Sequence, residues 1–193
     1  MNTFLAFDTE TGGKTHETSL LEAYFMVLDE EFNFIDELHL LVQPNDGNFV
    51  VISEALAINK IDLVEHAKNA MSYRLAEGEL FEFLKTYTND FEIKLTPLGH
   101  NVDFDIGFIN AHLMAKMHWD RFVSYGAEDT SIVGRYLKRV GKIPSDVRMS
   151  LKGLSEYFGI TSDESFHRAK GDTVRTVMVY KAMVELLKGQ LNG

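Results

Sequence analysis

The sequence predicts an α/β fold in which a mixed five-stranded sheet is flanked by helices. Short apolar runs of strand length open the chain, and apolar residues at helical i, i+3, i+4 spacing follow them. Two of the early runs are close enough in sequence to form a hairpin, so part of the sheet should be antiparallel. In order, the elements run βββαβαβα, which is typical of a sheet with helices packed against it.

The first three predicted elements are strands. Residues 4–7 form a continuous apolar run that ends at Asp8, which is typical of a strand buried on both faces. The runs Leu20–Leu28 and 34–42 are separated by a short polar segment and predict an antiparallel hairpin. The polar residues 43–47 should end it.

The middle of the chain predicts helices alternating with strands. Apolar residues at helical spacing predict a helix around residues 80–87, and the run 93–98 predicts a strand leading into the next polar segment. A second helix is predicted over residues 106–117. The short apolar piece at residues 122–123 is then the predicted last strand.

Three helices are predicted in the remaining chain. Asp129 is the predicted N-cap of a helix that reaches about Arg139, and Ser150 is the predicted N-cap of a helix that ends at Gly159. The final helix begins close to Asp172, and it carries apolar residues on one side: Val174, Val177, Met178, Ala182 and Leu186.

Length and composition limit the class of protein. The 193 residues, 45% of them hydrophobic, fit a single domain spanning 1–193. The absence of cysteine excludes disulfides, thiolate zinc sites and cysteine nucleophiles. The N-terminus lacks a basic region followed by an apolar core, and no apolar run approaches the roughly 20 residues of a membrane span. A cytoplasmic protein without a membrane partner is therefore expected.

The net charge of −10 is concentrated in the first half of the chain. Residues 1–90 hold 17 acidic and 5 basic residues, whereas residues 91–193 hold 12 and 14. Residues 135–152 contain six basic residues and one acid, Asp146. This basic stretch could contact a phosphate backbone, or it could be a solvated helix and loop surface.

Three separated segments contain acidic residues in a recognisable order: residues 7–12, 100–105 and 167–172. Asp8 and Glu10 are two apart, so on a strand they lie on the same face. The segments together resemble the three motifs of the DEDDh (DnaQ-like) 3′→5′ exonucleases. The Asp129-Thr130 pair and the stretch 150–160 before the third motif are also similar to that family, so the resemblance covers nearly the whole chain.

The resemblance implies a fold, a metal site and a base. The fold is RNase H-like, with strands one and four side by side. The implied metal ligands are Asp8, Glu10, Asp105 and Asp172, with His167 as general base. Carboxylates gathered in one pocket repel each other unless cations neutralise them, and oxygen ligands suit two divalent cations, Mg²⁺ or Mn²⁺. Histidine, with an unperturbed pKa near 6.5, can accept a proton close to neutral pH.

Competing residues leave some assignments open. Asp103 competes with Asp105, which alone directly follows an aromatic residue, as the family's acid does. His100, before Asn101 at a strand end, is expected to make structural hydrogen bonds. Six residues are predicted to contact substrate: Thr9, Thr11, Gly12, Asn59, Ile61 and Asn101. For Ile61, a place in the core is an equally good interpretation.

The implied function is hydrolysis of single-stranded DNA 3′ ends to nucleoside 5′-monophosphates, with two cations roughly 3.5–4 Å apart holding the phosphate. An RNA-trimming enzyme similar to oligoribonuclease or RNase T is the first alternative. A catalytically silent nucleic-acid-binding module is the second, and the complete set of five residues argues against it. DNA is favoured because oligoribonuclease usually has Asp-Leu-Glu-Met-Thr-Gly in its first motif. Association with a polymerase or a second copy is left open.

Overall fold

The computed structural model describes residues 3–89, 92–161 and 167–189, and this part of the chain contains six strands and eight helices. The strands are β1 (Phe4–Thr11), β2 (Leu20–Leu28), β3 (Phe34–Gln43), β4 (Met71–Ser72), β5 (Thr96–Gly99) and β6 (Glu128–Asp129). The helices are α1 (Ser53–Asn59), α2 (Leu63–Asn69), α3 (Tyr73–Thr86), α4 (Val102–His112), α5 (Lys116–Phe122), α6 (Thr130–Arg139), α7 (Leu151–Phe158) and α8 (Ala169–Lys188).

The strands form one mixed sheet in the order β4-β3-β2-β1-β5-β6. The first three strands are antiparallel neighbours, while β5 pairs parallel to β1 and β6 parallel to β5. The predicted α/β class and the side-by-side placement of the first strand and the strand after the long helix α3 are confirmed. The sequence predicts five strands, whereas the described part of the chain has six. The additional strand is β4, whose two residues are too few to show an apolar pattern in the sequence.

Two predicted elements lie elsewhere in the structure. The last strand of the sheet is β6, at Glu128–Asp129, and the predicted strand at residues 122–123 contributes only the bridge between Val123 and Leu95. The predicted helix over 106–117 is two helices, because the backbone leaves the helical conformation at Ala115, where ψ is 141°. That break lets both Met114 and Trp119 enter the core, where each is at most 3% exposed.

Both predicted helix caps are confirmed. The Asp129 side chain accepts hydrogen bonds from the backbone N–H groups of Ser131 and Ile132 at the start of α6. The Ser150 hydroxyl accepts one from Gly153 at the start of α7, and Gly159 ends that helix in the left-handed conformation. Although α8 is 20 residues long, no helix in the described part of the chain is both long and apolar enough to cross a membrane.

The two faces of β1 are covered by different helices. Leu5 and Phe7 point into a core that also contains side chains of α3, α4 and α5. Phe4 and Ala6 point into a second cluster, which α8 covers with Val177 and Tyr180. Since side chains alternate along a strand, Asp8 and Glu10 continue the face that α8 covers. The fold thereby directs both acids towards the first turn of α8.

Candidate active site

Three of the predicted acids meet at the end of β1. Asp8, Glu10 and Asp172 each offer a carboxylate oxygen, and these atoms all lie within 4.8 Å of one another. Asp8 and Glu10 come from β1, and Asp172 from the first turn of α8. The group opens into a cleft of about 300 Å³ that is also lined by Thr9, Asn101, Asp105 and His167, and further by His100 and Phe104.

Asp105 reaches the same cleft from α4. Its Oδ1 accepts hydrogen bonds from the backbone N–H of Thr9 at 2.9 Å and from the Thr9 hydroxyl at 2.6 Å. This pair of bonds fixes one oxygen of Asp105 against β1 and leaves its other oxygen without a bond to Thr9. Asp103, two residues earlier, is exposed and does not line the cleft. The structure therefore brings Asp105, and not its competitor, to the acid group.

Burial and mutual repulsion raise the pKa values of the acids. Desolvation is the largest cause at each of them. Neighbouring carboxylates of the site raise the pKa further at Asp8 and Glu10, and Asp129 does so at Asp105. The pKa of Glu10 is raised to about 8 and that of Asp105 to about 7, and the pKa of Asp8 lies well above its ordinary value. In Asp172 the rise is opposed by the His167 N–H and by Arg175.

The arrangement fits a divalent cation. The donors are carboxylate oxygens, which are hard ligands of the kind that Mg²⁺ and Mn²⁺ prefer. The raised pKa values indicate that the basic groups of the chain do not fully neutralise these carboxylates. The one arginine in contact with Asp172 in the described part of the chain is Arg175, which is only 3% exposed and lies 3.1 Å from Asp172 Oδ1. Asp8, Glu10 and Asp172 could hold an ion directly, and Asp105 could add its second oxygen.

His167 lies at the rim of the cleft. It directly precedes Arg168, the N-cap residue of α8, and its backbone N–H donates to Asp172 Oδ2 at 3.2 Å. Its φ of 63° is in the left-handed region, where a residue with a Cβ is strained. The residue is exposed, so the ring can meet a substrate that enters the cleft.

Four of the predicted substrate residues lie in the first motif or bond to it. Besides Thr9, which holds Asp105, the Thr11 hydroxyl donates to the carbonyl of Gly13 at 2.6 Å. The amide of Asn59 donates to the Thr11 carbonyl at 3.2 Å. Gly12 bonds to Ser19 and Ile52 through its backbone, and a Cβ there would lie 2.5 Å from the Val50 carbonyl oxygen.

The other two predicted substrate residues lie in different places. Asn101 lines the cleft, and its Oδ1 accepts a hydrogen bond from the Ser131 hydroxyl at 2.7 Å. Ile61 is 7% exposed and lines a separate pocket, so the structure does not bring it to the cleft. Substrate contact by Ile61 stays a prediction.

An apolar groove beside the cleft was not predicted. It has a volume of about 250 Å³ and shares Thr9, Glu10 and Phe104 with the cleft. Its outer wall contains Ile52 and Ile58, which are 43% and 52% exposed. Ile52 and Ile58 lie far along the chain from the first motif, and only the structure shows that they line one groove with Phe104.

His100 makes the structural hydrogen bond that the sequence led us to expect. Its Nδ1 lies 2.8 Å from the Thr130 hydroxyl, and burial lowers its pKa. Its ring nevertheless lines the cleft, which the sequence did not indicate. Together with the Asn101–Ser131 bond, this contact joins the second motif to the start of α6.

Comparisons with known proteins show what the chain is similar to. No family model matches the chain. Ribonuclease T of Buchnera aphidicola subsp. Acyrthosiphon pisum (strain APS) is 26% identical over 194 residues, covering 95% of this chain and 83% of that protein. Exonuclease I of E. coli, in complex with a 5cy-dA13 oligonucleotide, superposes with a TM-score of 0.73 at 18% identity over 96% of this chain. Exonuclease I of Methylocaldum szegediense superposes with a TM-score of 0.76 at 18% identity, also over 96% of this chain.

The shared region is only part of the solved exonucleases. The chain spans 41% of the length of both Exonuclease I chains, so the likeness concerns one portion of those proteins. Within that portion the mixed sheet and its helices agree with the RNase H-like fold. The predicted resemblance of this chain to the DEDDh (DnaQ-like) 3′→5′ exonucleases is thereby confirmed.

Proposed function

We propose that the protein is a metal-dependent 3′→5′ exonuclease that shortens single-stranded nucleic acid and releases nucleoside 5′-monophosphates. The observation that carries the proposal is the group formed by Asp8, Glu10 and Asp172, whose oxygens lie within 4.8 Å of one another in a cleft that also contains Asp105 and His167. A silent binding module would have no need of four carboxylates with raised pKa values in one site.

In this proposal Asp8, Glu10, Asp105 and Asp172 hold two divalent cations. Such cations, when bound, lower the pKa of a water molecule and stabilise the negative charge that develops on a phosphodiester. The role of His167 is to accept the proton of the attacking water. The new bond forms between that water oxygen and phosphorus, and the P–O3′ bond breaks. The leaving O3′ takes a proton from solvent, which leaves a 3′ hydroxyl on the shortened strand.

The apolar groove supports a role in holding the terminal nucleotide. Nucleobases stack on aromatic and apolar side chains without regard to sequence. Phe104, 37% exposed, and Ile58 face the groove next to Glu10, so a base placed there would bring its phosphate towards the acids. The hydrogen bonds of Thr11 and Asn59 give this wall a rigid support.

The basic stretch, residues 135–152, supports a binding path for the part of the nucleic acid that lies outside the cleft. On α6 the exposed residues recur at helical spacing: Ile132, Arg135, Tyr136 and Arg139. Neither arginine takes part in an ion pair within the described ranges, and α6 itself contains no acidic residue. The helix starts beside His100, whose pKa the Arg135 charge also lowers. Aromatic and cationic side chains in one stripe suit a single-stranded backbone.

DNA is the substrate that we propose, and RNA is the second candidate. The first motif lacks the Leu and Met of oligoribonuclease, and E. coli Exonuclease I was solved in complex with single-stranded DNA oligonucleotides. The relative named Ribonuclease T, which matches 95% of this chain, favours RNA. DNA and RNA differ at the 2′ position, where a single contact in the groove would decide between them.

The test compares three 5′-labelled substrates of matched sequence: single-stranded DNA, blunt duplex DNA and RNA, each with Mg²⁺ or Mn²⁺. Single-stranded DNA should be shortened fastest, with nucleoside 5′-monophosphate as the product. Faster shortening of RNA would support the second candidate. Faster cleavage of blunt duplex, or products other than 5′-monophosphates, would contradict the proposal.

A further inference from the structure

An ion pair between a buried carboxylate and a partly exposed arginine joins the sheet to the segment that carries His167. Glu22, on β2, lies directly opposite Glu10 in the β1–β2 register, and its side chain is 1% exposed. Its Oε2 lies 3.2 Å from Nε of Arg168, and its Oε1 lies 2.8 Å from Nε2 of His39. We propose that Glu22 and Arg168 are positioning residues that hold His167 at the cleft. This inference rests on the proposed function.

Burial of Glu22 is unfavourable unless its carboxylate pairs with a cation. Burying a carboxylate without a counter-charge is strongly unfavourable. Glu22 also adds to the repulsion within the acid group, because its charge raises the pKa of both Asp8 and Glu10. The carboxylate is therefore poorly explained as packing. The Arg168 guanidinium is the cation next to it, and its charge lowers the pKa of Glu10.

The backbone around His167 needs two anchors. His167 adopts a φ of 63°, which is a strained conformation for a residue with a Cβ. On one side its N–H is held by Asp172. On the other side Arg168 occupies the N-cap position of α8 without a side-chain cap bond, and its guanidinium extends to Glu22. Without the second anchor, the strained segment can relax and take the imidazole away from the cleft.

A direct substrate contact is the competing role for Arg168. Its side chain is 41% exposed, so a guanidinium–phosphate contact is sterically open to it. The two roles differ in their dependence on His167. A positioning residue acts only through the base, whereas a phosphate contact stabilises bound substrate whether or not the base is present.

A kinetic double-mutant cycle distinguishes the positioning role of Arg168 from a direct phosphate contact. Arg168→Gln should lower kcat by about tenfold to a hundredfold with KM nearly unchanged, since a misplacement of about 1 Å can cost that much. In a His167→Ala background the same substitution should cause less than a twofold further loss. Full additivity in the cycle, or a rise in KM that persists without His167, would overturn the inference.

Glu22→Gln gives a second arm with a readout besides activity. It should reproduce the kcat loss of Arg168→Gln, while Mn²⁺ binding measured by calorimetry is kept. Lys170→Gln is the matched control, because Lys170 is a cation on the same turn of α8 whose partner is Glu37. It should keep wild-type kcat. Loss of Mn²⁺ binding in Glu22→Gln, or equal kcat in Glu22→Gln and wild type, would contradict positioning.

Failure of this inference differs from failure of the proposed function. If the wild type degrades nucleic acid but the cycle is additive, the exonuclease stands and the positioning role falls. If the wild type shows no hydrolysis under any metal condition, both fall. Unfolding midpoints within a few degrees of the wild type show that the variants are folded.

Discussion

The raised pKa of Glu10 makes the metal-free protein sensitive to pH in an unusual direction. Its pKa rises from 4.5 unfolded to about 8 folded, so the folded protein binds the extra proton between these values. Stability contributed by that proton is complete below about pH 4.5 and is lost as pH rises towards 8. The shift corresponds to roughly 5 kcal/mol, most of which, roughly 4 kcal/mol, is lost by pH 8.

Glu10→Gln removes this titration while keeping the shape of the side chain. In the presence of EDTA, the variant should gain roughly 4 kcal/mol over the wild type between pH 4.5 and pH 8, or about 10 °C in Tm for a protein of this size. Divalent cations should reduce the difference, because they bind the wild-type acids and stabilise the folded state.

Denaturant unfolding at several pH values measures the effect. Asp103→Asn is the matched control, since Asp103 is an exposed carboxylate near the same site. Its unfolding free energy should follow the wild type at every pH. The reasoning is refuted if Glu10→Gln gives the same difference from wild type at pH 4.5 and pH 8, or if it destabilises the metal-free protein at pH 8.

The remaining predictions concern turnover and binding. Asp105→Ala should abolish hydrolysis and leave the chain folded, whereas Asp103→Ala should stay active; the reverse pattern would show that the second motif is misassigned. His167→Ala should lower kcat by roughly 10²–10⁴-fold with Mn²⁺ binding kept, and unchanged kcat would remove it from the mechanism. Arg135→Ala with Arg139→Ala should raise KM for a long single strand and flatten its salt dependence, with little change for a trinucleotide. Equal effects on both substrates would exclude the α6 path.

Much of the sheet and of the acid group was accessible from the sequence. Strand alternation alone places Asp8 and Glu10 on one face, and the structure shows that this is the face covered by α8. The cap residues Asp129 and Ser150 set the starts of two helices because local side-chain-to-backbone bonds decide such boundaries.

The features that the sequence did not predict depend on contacts between distant parts of the chain. The two-residue strand β4 is defined by its partner rather than by its own residues. The break between α4 and α5 allows Met114 and Trp119 to be buried in the core, and this burial depends on distant parts of the chain. Glu22 and Arg168 are far apart in sequence, and nothing in either segment marks their pairing. The division 1–193 as a single domain and the cytoplasmic location stay predictions.

The central claim is that the acid group holds divalent cations that permit cleavage from the 3′ end. The most direct measurement follows a single-stranded DNA carrying a 5′ label, with wild type and Asp8→Asn, in Mg²⁺ and in EDTA. The account predicts a ladder that shortens one nucleotide at a time from the 3′ end, for the wild type in Mg²⁺ alone. Release of the label as a mononucleotide at the earliest times, internal cuts, or equal degradation in EDTA would contradict it.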